Sequence, residues 1–182
     1  RRRWNIGSGR PLIYIGNASR QKGVHEVYAA LKDEGFELVM SGARNDAGDL
    51  PVKFLRLERA DYLLLLHACD AVICMSHLEE GWNRIAHEAM LCGTPVVTSD
   101  LPGVRVSIRT TGMGLLVRPH DWRGLADALA RVVNDRDAFV APGRDFVDPR
   151  VAFDPERTFD AYERWYADLI AGRQPGGAGV GG

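Results

Sequence analysis

Two glutamates, Glu80 and Glu88, stand eight positions apart around a segment that begins with Gly81 and continues as a predicted helix. A glycine-containing loop that leads into a helix offers unpaired backbone N–H groups and the positive end of the helix dipole, both of which favour phosphate. Carboxylates beside such a helix start accept hydrogen bonds from hydroxyl groups. A diphosphate that carries sugar rings needs both kinds of partner. The segment therefore predicts a binding site for a nucleotide sugar.

A loop near the amino terminus also contains residue types that suit phosphate. It runs from Gly16 to Gly23 after a short apolar segment and includes Asn17, Arg20 and Lys22. The two cations can neutralise a diphosphate, and the glycines let the backbone approach a ligand closely. Taken alone, the loop is more typical of an ordinary strand-to-helix connection with solvated cations.

Two further loops follow predicted strands. One runs from Ser76 to Asn83 and contains His77, which either contacts the ligand or has a polar role within the loop. The other runs from Ser99 to Gly103. In open parallel sheets the ligand binds beyond the carboxyl ends of the strands, and these loops leave from those ends.

Short apolar segments alternate with segments of helical periodicity along most of the chain. Strands are predicted at residues 11–16, 36–42, 52–55, 71–75, 95–98 and 114–117. Helices are predicted from Gly23 to a C-terminal cap at Gly35, from an N-cap at Asp61 through His67, after Gly81, and from Trp122 to Val133. The alternation predicts an α/β fold, a Rossmann-like parallel sheet with helices on both faces.

The chain is expected to form one domain over residues 1–173. Residues 134–153 are rich in Asp, Arg, Pro and Gly and are predicted to be irregular. A last helix, at about residues 155–171, has Pro155 at its first position and an apolar stripe that needs a surface to cover it. The glycine-rich residues 174–182 are predicted to be disordered.

Composition argues against several classes of function. With a formal net charge of −1 over 182 residues, the chain lacks the overall basic field that nucleic-acid binding requires. No apolar segment approaches the roughly 18 residues that cross a bilayer. The three cysteines lie in largely apolar segments, which predicts no disulfide and favours a reducing compartment.

No metal site is predicted. The chain has no Cys-x-x-Cys pair, and its five histidines are scattered. The pair His87-Glu88 opens like a zinc-protease signature, but Leu91 stands where the second histidine is needed. The stretch Asp135-Arg136-Asp137 follows a helix and lies far along the chain from the phosphate loops, and we interpret it as solvated surface.

Three short motifs match a known family: Glu80-Gly81-Trp82, Glu88-Ala89-Met90 and Gly93-Thr94-Pro95-Val96-Val97. From about Leu12 to Val133 the chain resembles the C-terminal, donor-binding half of a family-four glycosyltransferase of the two-domain GT-B architecture. The resemblance implies a retaining hexosyltransferase of polysaccharide or glycoconjugate biosynthesis. Such an enzyme transfers a sugar from a UDP-sugar or GDP-sugar to an acceptor hydroxyl, with no metal or other cofactor.

The resemblance also implies roles for individual residues. Glu88 would bind the ribose hydroxyls, Glu80 would contact the transferred sugar, and Lys22 would bind the diphosphate, so that Glu80 and Lys22 are the expected catalytic residues. The backbone amides around Asn83, Arg84 and Ile85 would hold the same phosphates. The whole expected donor site comprises Gly16, Asn17, Arg20, Lys22, His77, Glu80, Gly81, Trp82, Asn83, Arg84, Ile85 and Glu88.

The sequence departs from the family pattern at two positions. Asn17 stands where these enzymes usually have arginine, so either Arg20 substitutes from a shifted position or the diphosphate site is weakened. Asn83 stands where the family has glycine after the aromatic residue. We expect its side chain to cap the following helix while crowding the phosphate slightly.

Two hypotheses follow. In the first, the chain is the donor-binding half of a glycosyltransferase whose acceptor domain would precede Arg1, so that alone it binds donor but transfers poorly. That enzyme is expected in the cytoplasm, with any contact to the inner membrane face made through the absent half. In the second, the chain is a non-catalytic module for nucleotide-sugar sensing or protein contact, with Asn17 and Asn83 in its favour. A glycosidase is disfavoured, because an uncharged sugar gains nothing from a phosphate site beside a glutamate.

Overall fold

A computed structural model of the chain describes residues 1–7, 9–78 and 83–146, together with Ala167 and Ala171. Within these residues, six short strands form the sheet: β1 (Leu12–Ile15), β2 (Glu37–Ser41), β3 (Lys53–Leu55), β4 (Ala71–Cys74), β5 (Val96–Ser99) and β6 (Gly114–Val117). Each coincides with a predicted strand to within two residues at either end. Short, largely apolar runs of four to seven residues were therefore a sufficient signal for the strands.

The strands are all parallel and lie in the order β3-β2-β1-β4-β5-β6. Central β1 pairs with β2 on one side and with β4 on the other, so that Tyr14 lies beside both Val39 and Val72. The order reverses between β1 and β4, and their connections leave the sheet in opposite directions. This switch point opens a crevice at the carboxyl edge, the usual ligand position in such sheets.

Up to Phe146, the described part of the chain has six α-helices beside the strands: α1 (Val24–Leu31), α2 (Arg59–Ala68), α3 (Arg84–Leu91), α4 (Pro102–Thr111), α5 (Trp122–Asn134) and α6 (Arg136–Val140). Helices α2, α3 and α4 bury apolar residues against one face of the sheet, and α1 and α5 bury theirs against the other. Successive residues of β1 alternate between these two cores, because side chains alternate across a strand. The α/β fold with helices on both faces is confirmed.

Helix α4 was not predicted from the sequence. Its buried positions are Val104, Ser107, Ile108 and Thr111, which have helical spacing, but two of the four are polar. The Thr111 hydroxyl is satisfied inside the helix by the Ser107 carbonyl oxygen at 2.8 Å. A search for apolar periodicity therefore missed this helix.

Three local predictions at helix ends and in the C-terminal region are corrected. Helix α2 begins two residues before Asp61, with Glu58 at the N-cap position, and Asp61 lies in the first turn. Helix α1 ends at Leu31, and Gly35 lies in the turn beyond it with a φ of 76°. The segment predicted as irregular contains α6 and a 3-10 helix over Ala141–Phe146.

The C-terminal predictions fall almost wholly outside the described residues. This applies to the helix at 155–171, apart from Ala167 and Ala171, and to the tail at 174–182. Among the described residues, none of the helices has the length and apolar character needed to span a membrane.

Candidate functional site

The loop after β1 and the first turn of α3 meet at Gly16. A Cβ atom on Gly16 would lie 2.9 Å from the Ile73 carbonyl oxygen and 3.2 Å from Ile85 Cγ2. The Gly16 amide also donates to the Ile73 carbonyl oxygen at 2.8 Å. Only glycine allows this approach of β1, β4 and α3. Two sequence-predicted site residues, Gly16 and Ile85, are thus brought together at the switch point.

The rest of this loop is held from two sides. Its 3-10 turn spans Arg20–Lys22, and the Arg20 amide donates to the Asp46 carboxylate at 2.8 Å. Gly23 follows with a φ of 71°, and a Cβ there would lie 2.7 Å from the Trp122 ring. Arg20 is exposed, whereas Asn17 and Lys22 are half-buried. The predicted phosphate loop therefore has a fixed backbone from which its cations extend.

His77 joins this loop to the loops after β4 and β6. Its amide donates to the Gln21 carbonyl oxygen at 3.3 Å. Its Nδ1 lies 2.9 Å from Nδ1 of His120, so one imidazole donates and the other accepts. The two rings stack with centroids 4.7 Å apart, and Trp122 packs edge-on to His77 at 5.4 Å. Sequence analysis proposed His77 but missed His120 and Trp122, since their contact depends on the loop after β4 reaching the loop after β6 across the end of β5.

The start of α3 is fixed by two residues. The Asn83 side-chain oxygen accepts a hydrogen bond from the Ala86 amide at 3.1 Å, which confirms the predicted cap. His87 Nδ1–H donates to the Asn83 carbonyl oxygen at 2.7 Å. Because that assigns the proton to Nδ1, the Ser107 hydroxyl donates to Nε2, also at 2.7 Å. The helix start is therefore held rigidly, with its positive end directed to the carboxyl edge of the sheet.

Burial of His87 makes the stability of the domain depend on pH. Desolvation lowers the pKa of His87 from 6.5 to about 4, opposed by its hydrogen bond to Asn83. Between these values the unfolded chain binds a proton that the folded chain does not, so stability falls as pH falls from about 6.5 to 4, by up to about 3 kcal/mol. Urea unfolding at several pH values should show this slope in the wild type and a shallower one in His87→Gln. Equal slopes in the two proteins would contradict the assignment.

Glu88 is more enclosed than expected for a side chain that accepts hydrogen bonds from ligand hydroxyls. Its side chain is 1% exposed, and Oε1 accepts from Arg59 Nη1 at 2.7 Å while Oε2 accepts from the Tyr62 hydroxyl at 2.6 Å. Arg84, whose backbone amide was the predicted contact, places its side-chain Nε 3.6 Å from Oε1. A buried carboxylate requires such partners. Sequence analysis identified neither Arg59 nor Tyr62 as a partner of Glu88; both come from α2.

Glu80, Gly81 and Trp82 lie outside the described residues, so their assignment stays a prediction. No group of three or more potential metal ligands occurs among the residues that the structure describes. Asp135 and Asp137 are exposed, in line with their interpretation as surface.

The three cysteines are free thiols and all are buried, as the prediction of no disulfide requires. Burial raises the pKa of Cys92 to about 12 and also raises the pKa of Cys69. These thiols are therefore kept neutral and packed in the core.

Solved structures identify the class of the fold. Sucrose-phosphate synthase from Thermosynechococcus elongatus matches with a TM-score of 0.67 at 24% identity, over 94% of this chain and 48% of that one. HepE from Anabaena, in complex with UDP-glucose, matches with a TM-score of 0.64 at 22% identity, over 88% and 50%. The chain has the Rossmann-like fold found in about half of each of these GT-B glycosyltransferase structures.

The chain belongs to the family of glycosyl transferases group 1, whose family model matches residues 1–144. Glycogen synthase from Mycobacterium tuberculosis (strain ATCC 25618 / H37Rv) is 31% identical over 156 residues, which cover 73% of this chain and 37% of that protein. D-inositol 3-phosphate glycosyltransferase from Saccharomonospora viridis is 35% identical over 111 residues, 61% of this chain and 26% of that protein. The chain thus spans little more than a third of the glycogen synthase that it matches.

Proposed function

We propose that the chain is the donor-binding domain of a retaining glycosyltransferase and binds a nucleotide sugar in the crevice between β1 and β4. The main support is the contact between the loop after β1 and the start of α3, through Gly16 and Ile85. This contact brings the loop that carries Arg20 and Lys22 against the positive end of α3, and a diphosphate bound between them would meet both kinds of positive charge. Glu88, one turn further along α3, supplies acceptors for the ribose.

The chemistry of the proposed reaction follows from the charge that develops during transfer. An acceptor hydroxyl displaces the nucleoside diphosphate from the anomeric carbon, and negative charge accumulates on the leaving diphosphate. Lys22 and the backbone amides at the start of α3 would stabilise that charge without a metal ion. Asn83, which replaces the glycine of the family pattern, caps α3 with its side chain. This departure therefore has a structural explanation and no longer favours a non-catalytic module.

The donor and the partner domain are proposed from the relatives. HepE was solved with UDP-glucose, and we therefore take a UDP-sugar as the first candidate donor. The chain covers about half of the sucrose-phosphate synthase and HepE structures. We propose that an N-terminal domain supplies the acceptor site across the cleft.

Replacement of Lys22 by alanine tests the diphosphate site. We expect calorimetric titration of the wild-type domain with UDP-glucose, GDP-mannose and ADP-glucose to show binding of at least one. In Lys22→Ala the affinity for that donor should fall about tenfold, because a charge-assisted contact to the diphosphate is lost. The loss should shrink at high salt.

Lys32→Ala is the matched control. Lys32 caps the far end of α1 and its side chain is 51% exposed, so its removal deletes one positive charge away from the crevice. Equal losses in the two variants would indicate a general charge effect. Failure of the wild type to bind any of the three donors would reject the proposed function.

A further inference from the structure

Helix α2 supplies two of the partners of the Glu88 carboxylate, one for each oxygen. Arg59 donates to Oε1 and the Tyr62 hydroxyl donates to Oε2. A carboxylate oxygen has two acceptor positions, so each retains one after these bonds. Arg84 Nε makes a longer contact with Oε1, at 3.6 Å. The carboxylate is therefore oriented firmly by α2 and only loosely by Arg84.

We propose that Tyr62 is a positioning residue that turns the Glu88 carboxylate toward the two ribose hydroxyls of the donor and so sets the preference for a ribonucleotide. This inference rests on the proposed function. Two neighbouring hydroxyls present two O–H donors, and a carboxylate held with one acceptor position open on each oxygen matches them. A carboxylate that is free to rotate would have to be ordered on binding, and the loss of side-chain entropy would lower the affinity for the ribose.

The Tyr62 hydroxyl is a fixed donor because its ring is packed on two sides. The ring lies edge-on to Tyr14, with centroids 6.0 Å apart and an interplanar angle of 66°. The Arg59 guanidinium lies over the ring, 5.4 Å from its centroid. Desolvation and the charge of Glu88 raise the pKa of Tyr62, so the hydroxyl keeps its proton. Tyr62 thus links the core of the sheet, through Tyr14, to the carboxylate of Glu88.

A ribose can reach the buried carboxylate by displacing Arg84. The Arg84 side chain is 76% exposed, against 38% for Arg59, and makes the longest of the three contacts. The Arg84 contact is thus the longest and the most exposed of the three, whereas the Tyr62 hydroxyl is held close to Glu88 by a short hydrogen bond. The binding step would exchange the Arg84 contact for a ribose hydroxyl and leave the bond from Tyr62 intact.

Tyr62→Phe tests the proposal, with Tyr14→Phe as its matched control. Each variant removes one tyrosine hydroxyl, from half-buried Tyr62 or from buried Tyr14. The Tyr14 hydroxyl lies 2.8 Å from Ser41 Oγ and has no hydrogen bond to Glu88. The affinities of UDP, GDP and ADP would be compared with those of their 2′,3′-dideoxy counterparts by calorimetry. We expect the wild type to prefer the ribose form and Tyr62→Phe to reduce that preference on the order of fivefold to tenfold, with Tyr14→Phe unchanged.

The ratio of ribose to dideoxy affinity distinguishes a positioning role of Tyr62 from a general loss of packing. A variant that is merely less well packed weakens the ribose and dideoxy forms equally, and that result in Tyr62→Phe overturns the proposal. So does a preference equal to that of the wild type. If Glu88→Gln abolishes the preference while Tyr62→Phe retains it, only the role of Tyr62 fails. If the wild type binds none of the three diphosphates, the proposed function fails, and this inference fails with it.

Discussion

Replacing Glu88 by glutamine is expected to weaken donor binding on the order of tenfold or more, for whichever of UDP-glucose, GDP-mannose and ADP-glucose the domain binds. Glutamine keeps the shape of the side chain but replaces one acceptor oxygen by an amide nitrogen, which cannot accept from a hydroxyl. The variant also leaves Arg59 without its carboxylate partner. In the wild type, Glu88 Oε1 lies 2.7 Å from Arg59 Nη1. Calorimetric titration measures the affinity, and thermal unfolding measures the separate cost to stability.

Glu37→Gln provides the comparison for this experiment. Glu37 begins β2 and therefore lies at the amino edge of the sheet, opposite the crevice. It makes a long 3.5 Å ion pair with Arg10, so the same chemical change there removes a weak surface contact. Donor affinity should be unchanged in Glu37→Gln. A Glu88→Gln protein that remains folded and binds donor within twofold of the wild type would remove Glu88 from the site.

Replacing Gly114 by alanine is expected to destabilise the domain by about 3–5 kcal/mol, the sum of backbone strain and a core clash. Gly114 has a φ of 152°, and a Cβ atom there would clash with the Val96 carbonyl oxygen. Because the obstructing atom is backbone of the neighbouring strand, β5 and β6 must separate to admit the side chain. Urea unfolding measures the free energy, and the melting temperature should fall on the order of 10 °C.

Gly35→Ala separates strain from clash. Gly35 also has a positive φ, of 76°, but a Cβ there meets no atom within 4 Å. Alanine at this position should cost about 1 kcal/mol, from the left-handed backbone alone. If Gly114→Ala cost no more than Gly35→Ala, the close approach of β6 to Val96 would not constrain the sheet.

Elements whose apolar residues form a run or recur at a regular spacing could be predicted from the sequence. Features that depend on contacts made in the folded protein could not. Strand β4 and helix α5 were located to within a residue, because apolar runs and apolar spacing are properties of neighbouring residues. Helix α4 was missed, since its buried Ser107 and Thr111 satisfy their hydroxyls only after folding. The N-cap of α2 was misplaced because Asp61, a favoured capping type, lies three positions beyond Glu58.

The candidate site shows the same division. The glutamate at position 88, the phosphate loop with Lys22 and the capping role of Asn83 could be proposed from residue types and their spacing along the chain. The contact of Gly16 with Ile85 and the stacking of His77 on His120 could not, because each joins segments from different strands.

The amino-acid sequence by itself determined that this chain alternates strands with helices, follows them with glycine- and cation-containing loops, and carries the motifs of a glycosyltransferase donor domain. Those properties depend on residues near one another in the chain. Only the tertiary structure decided the strand order that opens the crevice between β1 and β4, and the choice of Arg59 and Tyr62 as partners of Glu88. A buried carboxylate can be satisfied by many cations and hydroxyls, and packing of α2 against α3 selects which of them reach it.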